Sequence, residues 1–321
     1  MKSFIVAKEE ENQTLEKYVK KVLIDAPLSF IYRLFRKKDV KVNGHWEGSK
    51  YIIKENDEIK IYITEEQLED FKAKKEIKLS EDISSWIIYE DNNILLINKP
   101  RGILVQKDDA NSKALDEMVL FYLSNKGEYD ATKAYRPAPA HRLDRNTSGI
   151  VIFGKNLQSL QLLSEAMSDK NSINKEYLAL VKGHFIEKSG RISLPLKKLT
   201  NNRVIVDKKE GKNAITLYEV VEEYGEEYTL LRINLLTGRT HQIRVHLAYI
   251  SHPVIGDSKY GDYSLNKMIE EKYNFKNQFL SAHKLTFKNL KGQLEYLNEK
   301  SFEVKLDDEY IDLLKSLSHN S

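Results

Sequence analysis

Two short segments of this 321-residue chain concentrate the side chains that could do chemistry. The first, His141-Arg142-Leu143-Asp144-Arg145-Asn146-Thr147-Ser148-Gly149, sets one carboxylate among two guanidiniums and an imidazole in a stretch rich in turn formers. The second, Leu236-Thr237-Gly238-Arg239-Thr240-His241-Gln242-Ile243-Arg244-Val245-His246, adds two more arginines and two histidines. The chain holds 40 lysines but only 11 arginines, so Lys supplies generic charge and each Arg marks a position needing a planar, bidentate guanidinium. Thiol and Cys–zinc chemistry are excluded, because there is no cysteine. The two histidines, five residues apart, do not match a metal-ligand spacing, and no HExxH motif is present, so no metal is expected. A plainer reading exists for each segment. Asp144 and Thr147 could simply hydrogen-bond the local backbone, and Arg239 and Arg244 could be ordinary exposed cations on a surface helix.

The elements that must position these residues can be read from the periodicity. Strands are expected at Ile87-Ile88-Tyr89, Ile94–Ile97, Ile150–Phe153, Tyr177–Val181, Ile215–Val221 and Tyr228–Asn234, with a turn at Lys99-Pro100-Arg101-Gly102. Helices are expected at Leu157–Met167 and Thr240–Ile250. In the latter, Thr240 is the expected N-cap, Ile243, Leu247 and Ile250 form the apolar stripe, and Arg244 lies off it. Strands and helices mix without regular alternation, which predicts an α+β fold with a largely antiparallel sheet.

Ahead of this lies a small helix-helix-strand module, expected over residues 1–66. Its first helix follows Leu15, Tyr18, Val19, Val22 and Leu23, and Pro27 interrupts it. The second carries Phe30, Ile31, Leu34 and Phe35; short strands are expected at Val40/Val42, Ile52-Ile53 and Ile59–Ile63, with Asn43-Gly44 as a hairpin turn between the first two. Residues 32–54 carry a local charge of +5, against +3 for the whole chain. Arg33, Arg36, Lys37, Lys38 and Lys41 would share one face suited to a phosphate backbone, so RNA is the expected partner. Residues 67–83, with Lys74-Lys75, read as a part-helical linker, residues 84–315 as the main domain, and Ser316–Ser321 as a frayed tail. The N-terminus has too few apolar residues for a signal peptide and no run approaches a membrane span, so a cytoplasmic address is expected. Nothing calls for an obligate interface, and a monomer is expected.

His141–Gly149, Lys175-Glu176-Tyr177, Thr237–Leu247, His252-Pro253-Val254-Ile255-Gly256-Asp257 and Ala282-His283-Lys284-Leu285 together resemble the RluA-type pseudouridine synthase family, with the motifs in the family's order. The first 66 residues resemble the S4 RNA-binding domain that many members carry. The stretch Ile31–Gly44 is especially similar to the subgroup that modifies large-subunit ribosomal RNA, its C-type enzyme in particular.

The resemblance implies isomerisation of selected uridines in RNA, with cleavage of the N1–C1′ bond and rejoining through C5, and no cofactor. It assigns Asp144 as the catalytic carboxylate, with its role as nucleophile or base left open. Burial penalises a charged carboxylate and an opposing guanidinium offsets that penalty; the resemblance gives this part to Arg244. It further implies that Tyr177 stacks on the target base and assists proton removal from C5. Arg142 would enter the space that a flipped base vacates. Arg145 would contact RNA, as would Lys197, Lys198, Arg203, Lys208 and Lys209 unless these belong to a solvated hairpin. Leu285 is expected to floor the uracil pocket, with Ile243 and Val245 as alternatives. Transfer RNA competes with ribosomal RNA as substrate. A non-catalytic assembly factor and a hydrolase releasing uracil are the competing functions.

Overall fold

The computed structural model describes residues 1–24, 26–71, 81–107, 113–130, 135–169 and 171–319. The N-terminal module comprises β1 (Lys2–Ile5), α1 (Leu15–Val22), α2 (Leu28–Arg36), β2 (Val40–Val42), β3 (His45–Trp46), β4 (Glu58–Ile61) and α3 (Glu65–Phe71). Its four strands form one antiparallel sheet in the order β1-β4-β2-β3. Thr14 caps α1 by accepting from the Lys17 N–H at 3.3 Å, and α2 begins just after Pro27. The Asn43-Gly44 turn is where the sequence places it. Both residues have positive φ, 51° and 84°, as a two-residue hairpin loop with matching twist requires. The strand it leads to is His45–Trp46, with Lys41 opposite Trp46. The expected Ile52-Ile53 strand is instead a single bridge to Thr14, because Ile53 is used to plug the core beneath α1.

This module has its own apolar core, built from Leu15, Tyr18, Val19, Ile31, Leu34, Val40, Ile53, Ile59 and Ile61. Leu68 and Phe71 of α3 also pack there, so ordered structure continues past residue 66 into the expected linker. Residues 72–80, with Lys74-Lys75, lie outside the described residues.

The larger part of the chain builds one ten-stranded mixed sheet. In chain order its elements are β5 (Ile87–Glu90), β6 (Ile94–Lys99), α4 (Leu115–Asn125), β7 (Ala138–Pro139), β8 (Ser148–Gly154), α5 (Leu157–Ser168), β9 (Ile173–Lys182) and β10 (Ser189–Ser193). A small hairpin, β11 (Leu196–Lys198) and β12 (Val204–Val206), precedes the long pair β13 (Ile215–Tyr224) and β14 (Tyr228–Leu235). Then come α6 (Gln242–Tyr249), α7 (Tyr263–Tyr273), β15 (Leu280–Phe287), β16 (Ser301–Glu303) and α8 (Asp308–Ser318). The strands run β10-β13-β14-β9-β15-β8-β6-β5, with β16 and β7 paired at the sides. Only β8 and β15 pair in parallel among the described residues, so the sheet is largely antiparallel as expected.

Alternation along the central strands explains why they are apolar throughout. In β6, Leu95 and Ile97 join the core under α4 and α6, while Ile94 and Leu96 join the core under α5. Gly149 sits where β8 meets both β6 and β15, with φ +111°, and a Cβ there would lie 2.3 Å from the Ala282 carbonyl oxygen. The tail expectation is corrected: α8 runs to Ser318, and Leu317 is buried against the core around Phe279 and Tyr310, which an apolar stripe on a closing helix makes favourable. Among the described residues, no helix is long and apolar enough to cross a membrane.

Candidate active site

The two chemistry-bearing segments meet at the mouth of a cleft of about 860 Å³. Its lining includes His141, Arg142, Asp144, Arg145, Lys175, Tyr177, Arg239, His241, Ile243 and Arg244. The His141–Gly149 segment enters β8 through a tight turn in which the Thr147 N–H donates to the Asp144 carbonyl at 3.1 Å. The turn is buttressed from below by Lys99, which is fully buried at the end of β6. Its Nζ donates to the carbonyls of Pro100, Ile103 and Arg145 at 2.9, 3.0 and 3.2 Å. Burial pushes its pKa down to about 7, with Asp144 and Asp307 pulling the other way.

The second segment is fixed by Gln242 and Thr237. The Thr237 hydroxyl accepts from the Ile215 N–H at 2.8 Å. Gln242 Oε1 accepts from Thr237 Oγ1 and the Arg239 N–H, and its Nε2 donates to the Ile215 carbonyl at 3.0 Å and to Thr216 Oγ1. The expected Thr240 cap is corrected by one residue: His241 occupies the cap position without capping through its side chain, because Gln242 already satisfies the loop. Helix α6 is buried from Gln242 to Leu247, so Arg244 is no exposed surface cation.

Arg244 instead bridges two carboxylates. Its Nη1 donates to Asp144 Oδ2 at 2.8 Å, while Nε and Nη2 donate to Asp257 Oδ2 and Oδ1 at 2.7 and 2.8 Å. The Tyr260 ring lies over the guanidinium, 5.1 Å away. The guanidinium has a raised pKa: burial alone would lower it, but the two carboxylates outweigh that cost. Burial would likewise raise the Asp257 carboxyl, and Arg244 outweighs it, holding Asp257 below the usual carboxylate range. Asp257 follows Gly256, whose φ is +75° and whose added Cβ would lie 1.9 Å from the Asn277 carbonyl oxygen. From sequence alone Asp257 belongs to a motif without a part of its own; its type and its place after a glycine are the signals that could have found it.

Tyr177, on β9, is buried at the cleft, and its phenol is pushed well above its ordinary pKa, first by burial and then by the charge of Asp144. It is held as a neutral phenol. His141 is neutral too, pushed down to about 3 by burial and by Lys175; its Nε2 accepts from the Ile152 N–H at 3.3 Å. His246 is structural, buried between Thr216 Oγ1 and the Leu194 carbonyl, each 2.9 Å away. Arg142 and Arg145 are exposed at the cleft. Lys198, on the β11–β12 hairpin, reaches the cleft, whereas Lys197 pairs with Glu210 and Asp207, and Arg203, Lys208 and Lys209 are exposed outside the lining.

The expectation for Leu285 is corrected. It lies beyond a register shift in β15 at Ala282/Lys284 and packs with Ile150, Ile152, Ile173 and Phe287, away from the cleft. The apolar lining includes Leu104, Val105, Leu143, Leu235, Ile243 and Leu280, and Val245 packs instead against Leu196 and Val204. Arg33, Arg36, Lys37, Lys38 and Lys41 sit on the N-terminal module, not in the cleft, with Lys38 over Trp46 and Lys41 over Tyr62 at 5.1 and 5.2 Å. Among the described residues, no cluster of His, Asp and Glu could hold a metal ion.

Comparison with known proteins identifies this architecture. Residues 93–249 match the family described as RNA pseudouridylate synthase. An uncharacterized RNA pseudouridine synthase of Mycoplasma capricolum subsp. capricolum is 34% identical over 310 residues, covering 94% of this chain and 96% of that protein. The ribosomal large subunit pseudouridine synthase C of Escherichia coli (strain K12) is 31% identical over 297 residues, covering 89% and 88% of the two chains. The solved structure of human RNA pseudouridylate synthase domain containing 4 shares the fold, with a TM-score of 0.59, 20% identity, and coverage of 73% of this chain and 94% of that one. The chain belongs to the RNA pseudouridylate synthase family, enzymes that isomerise uridine in RNA.

Proposed function

We propose that this enzyme modifies uridines of large-subunit ribosomal RNA, with Asp144 as the catalytic carboxylate. The observation that carries the reading is a cleft carboxylate fixed by a buried guanidinium, Asp144 Oδ2 to Arg244 Nη1 at 2.8 Å, beside a buried neutral tyrosine. The similarity to the C-type large-subunit enzymes over most of both chains supports ribosomal RNA as the substrate class.

The N1–C1′ bond breaks and its electron pair leaves on the base. Asp144 acts at C1′ or on the adjacent ribose proton. The base then turns so that C5 bonds C1′ while the bond from Asp144 to C1′ breaks, or the ribose proton held by Asp144 returns; the C5 proton leaves and N1 takes up a proton, so the change is an isomerisation with no redox balance to meet. Arg244 holds the carboxylate in one orientation. Tyr177, held as a neutral phenol, stacks on and positions the base. The target uridine is flipped out of its stack at a cost of a few kcal/mol. Exposed Arg142, two residues before Asp144, fills the gap.

The N-terminal module is read as an S4-like RNA grip. The exposed end of α2 and the adjacent hairpin carry its cations, and Trp46 and Tyr62 lie exposed beneath two of them. Its basic face adds backbone affinity without base readout.

Ribosomal RNA carrying tritium at uridine C5 tests the chemistry. The wild-type protein releases label, and Asp144→Asn lowers the rate by at least about 10³-fold, as expected when a nucleophile or base is removed. Undiminished release by Asp144→Asn would refute the assignment. Free uracil in place of pseudouridine would show a hydrolase.

A further inference from the structure

His241 stands beside the reactive carboxylate with no part in the reaction outlined above. It holds a left-handed backbone conformation, φ 53°, at the cap of α6, an uncommon state for a residue with a Cβ. Its Nδ1 lies 2.8 Å from the Tyr260 hydroxyl, and that hydroxyl accepts from the Val204 N–H at 2.9 Å. The phenol proton can then point to His241 Nδ1, an arrangement that puts the imidazole's own proton on Nε2. This Nε2 lies 3.9 Å from Asp144 Oδ1, too far to bond it, and the ring lines the cleft.

Burial favours the neutral ring. Burial pushes its pKa below the ordinary value of 6.5, Arg244 and Lys259 push the same way, and Asp144 and Asp257 oppose them. Tyr260 packs edge-on against it at 5.5 Å. The result is a neutral ring whose Nε2 is available to the cleft, next to Asp144.

We propose that His241 is a further catalytic residue, whose Nε2–H donates a hydrogen bond to O2 of the target uracil as the base leaves C1′. The inference rests on the reading of Asp144 given above. When the N1–C1′ pair leaves on the base, N1 and O2 share the negative charge, and O2 is the base oxygen nearest C1′. A preorganised neutral donor stabilises that charge without pairing with Asp144 in the resting enzyme. Protonation would add a second cation beside Arg244 and turn Nδ1 into a donor toward the Tyr260 hydroxyl. The neutral ring is therefore the active form, and activity falls as pH drops through the His241 pKa.

The test compares single-turnover rates of the full-length wild type, His241→Ala, His241→Gln, Tyr260→Phe and Asp144→Asn on one ribosomal RNA fragment across pH. His241→Ala is expected to slow the bound-complex rate about 10²-fold with RNA affinity unchanged. His241→Gln can place an amide N–H near the Nε2 position and recovers part of the rate. Because Gln does not titrate, its acid limb moves to lower pH. Tyr260→Phe keeps the ring over Arg244 but frees the tautomer, giving an intermediate loss. An unchanged His241→Ala rate, a loss wholly in RNA affinity, or a wild-type acid limb in His241→Gln would overturn the proposal. A fully active His241→Ala beside an inactive Asp144→Asn would overturn it while sparing the Asp144 reading; a wild type that forms no pseudouridine would remove that reading itself.

Discussion

Asp257 takes two of the three guanidinium nitrogens of Arg244, leaving only Nη1 for Asp144. This division orients the guanidinium before any substrate arrives. Asp257 is 1% exposed, so removing its charge leaves a buried arginine half-paired. Asp257→Asn is expected to destabilise the protein by about 3 kcal/mol and to lower the catalytic rate, since breaking a buried pair strands its partner. Denaturant melts and single-turnover rates check this together; unchanged stability with full activity would contradict it. Asp144, Arg142 and Arg244 were legible as candidates from residue type and motif. The pairing of Arg244 with Asp144, 100 residues away, was expected from the resemblance alone, and the pairing with Asp257 was not expected, because only the fold brings these side chains together. Leu285 was misplaced for the same reason, since a register shift inside β15 leaves no mark in the pattern of apolar residues.

Strand β6 ends in a lysine that behaves as a structural clamp. Lys99 Nζ holds three carbonyls, one of them from Arg145 in the Asp144 loop. Lys99→Met keeps the apolar stem but leaves those carbonyls without their donor. A stability loss of at least about 2 kcal/mol is expected, with a slower reaction because the loop carrying Asp144 loosens. Differential scanning calorimetry and the tritium assay measure the two effects, and a variant as stable and active as wild type would show that the clamp is dispensable. Elements with a strong period were legible: α1, α2, α5, β6, β8 and β14 lie where their apolar spacing puts them. The hairpin turn was legible from two residues alone. Its second strand was not, because His45–Trp46 spans two exposed residues with no alternation to read.

At the scale of the whole molecule, the net charge of +3 hides an uneven distribution. Arginine and lysine side chains cluster on the N-terminal module, and Arg142, Arg145, Lys198 and Arg239 ring the cleft. If the module grips RNA through phosphates, Arg33→Glu with Arg36→Glu raises KM for a long ribosomal RNA fragment and flattens its salt dependence. The expected change is about 0.7–0.9 in the log–log slope for each phosphate no longer neutralised, with the turnover rate unchanged. A salt titration of binding checks this, and an unaltered slope would place the RNA elsewhere. The mixed, largely antiparallel sheet could be inferred from sequence; the burial of Arg244 and the reach of α8 could not, because both depend on long-range packing.

The central claim is that this chain makes pseudouridine in large-subunit ribosomal RNA through Asp144. The most direct measurement maps pseudouridine across ribosomal and transfer RNA from cells lacking the gene, then from the same cells supplied with the wild-type protein or with Asp144→Asn. Loss of defined large-subunit sites, restored by the wild type and not by Asp144→Asn, is the predicted result. An unchanged large-subunit map in the deletion strain, or restoration by Asp144→Asn, would contradict it.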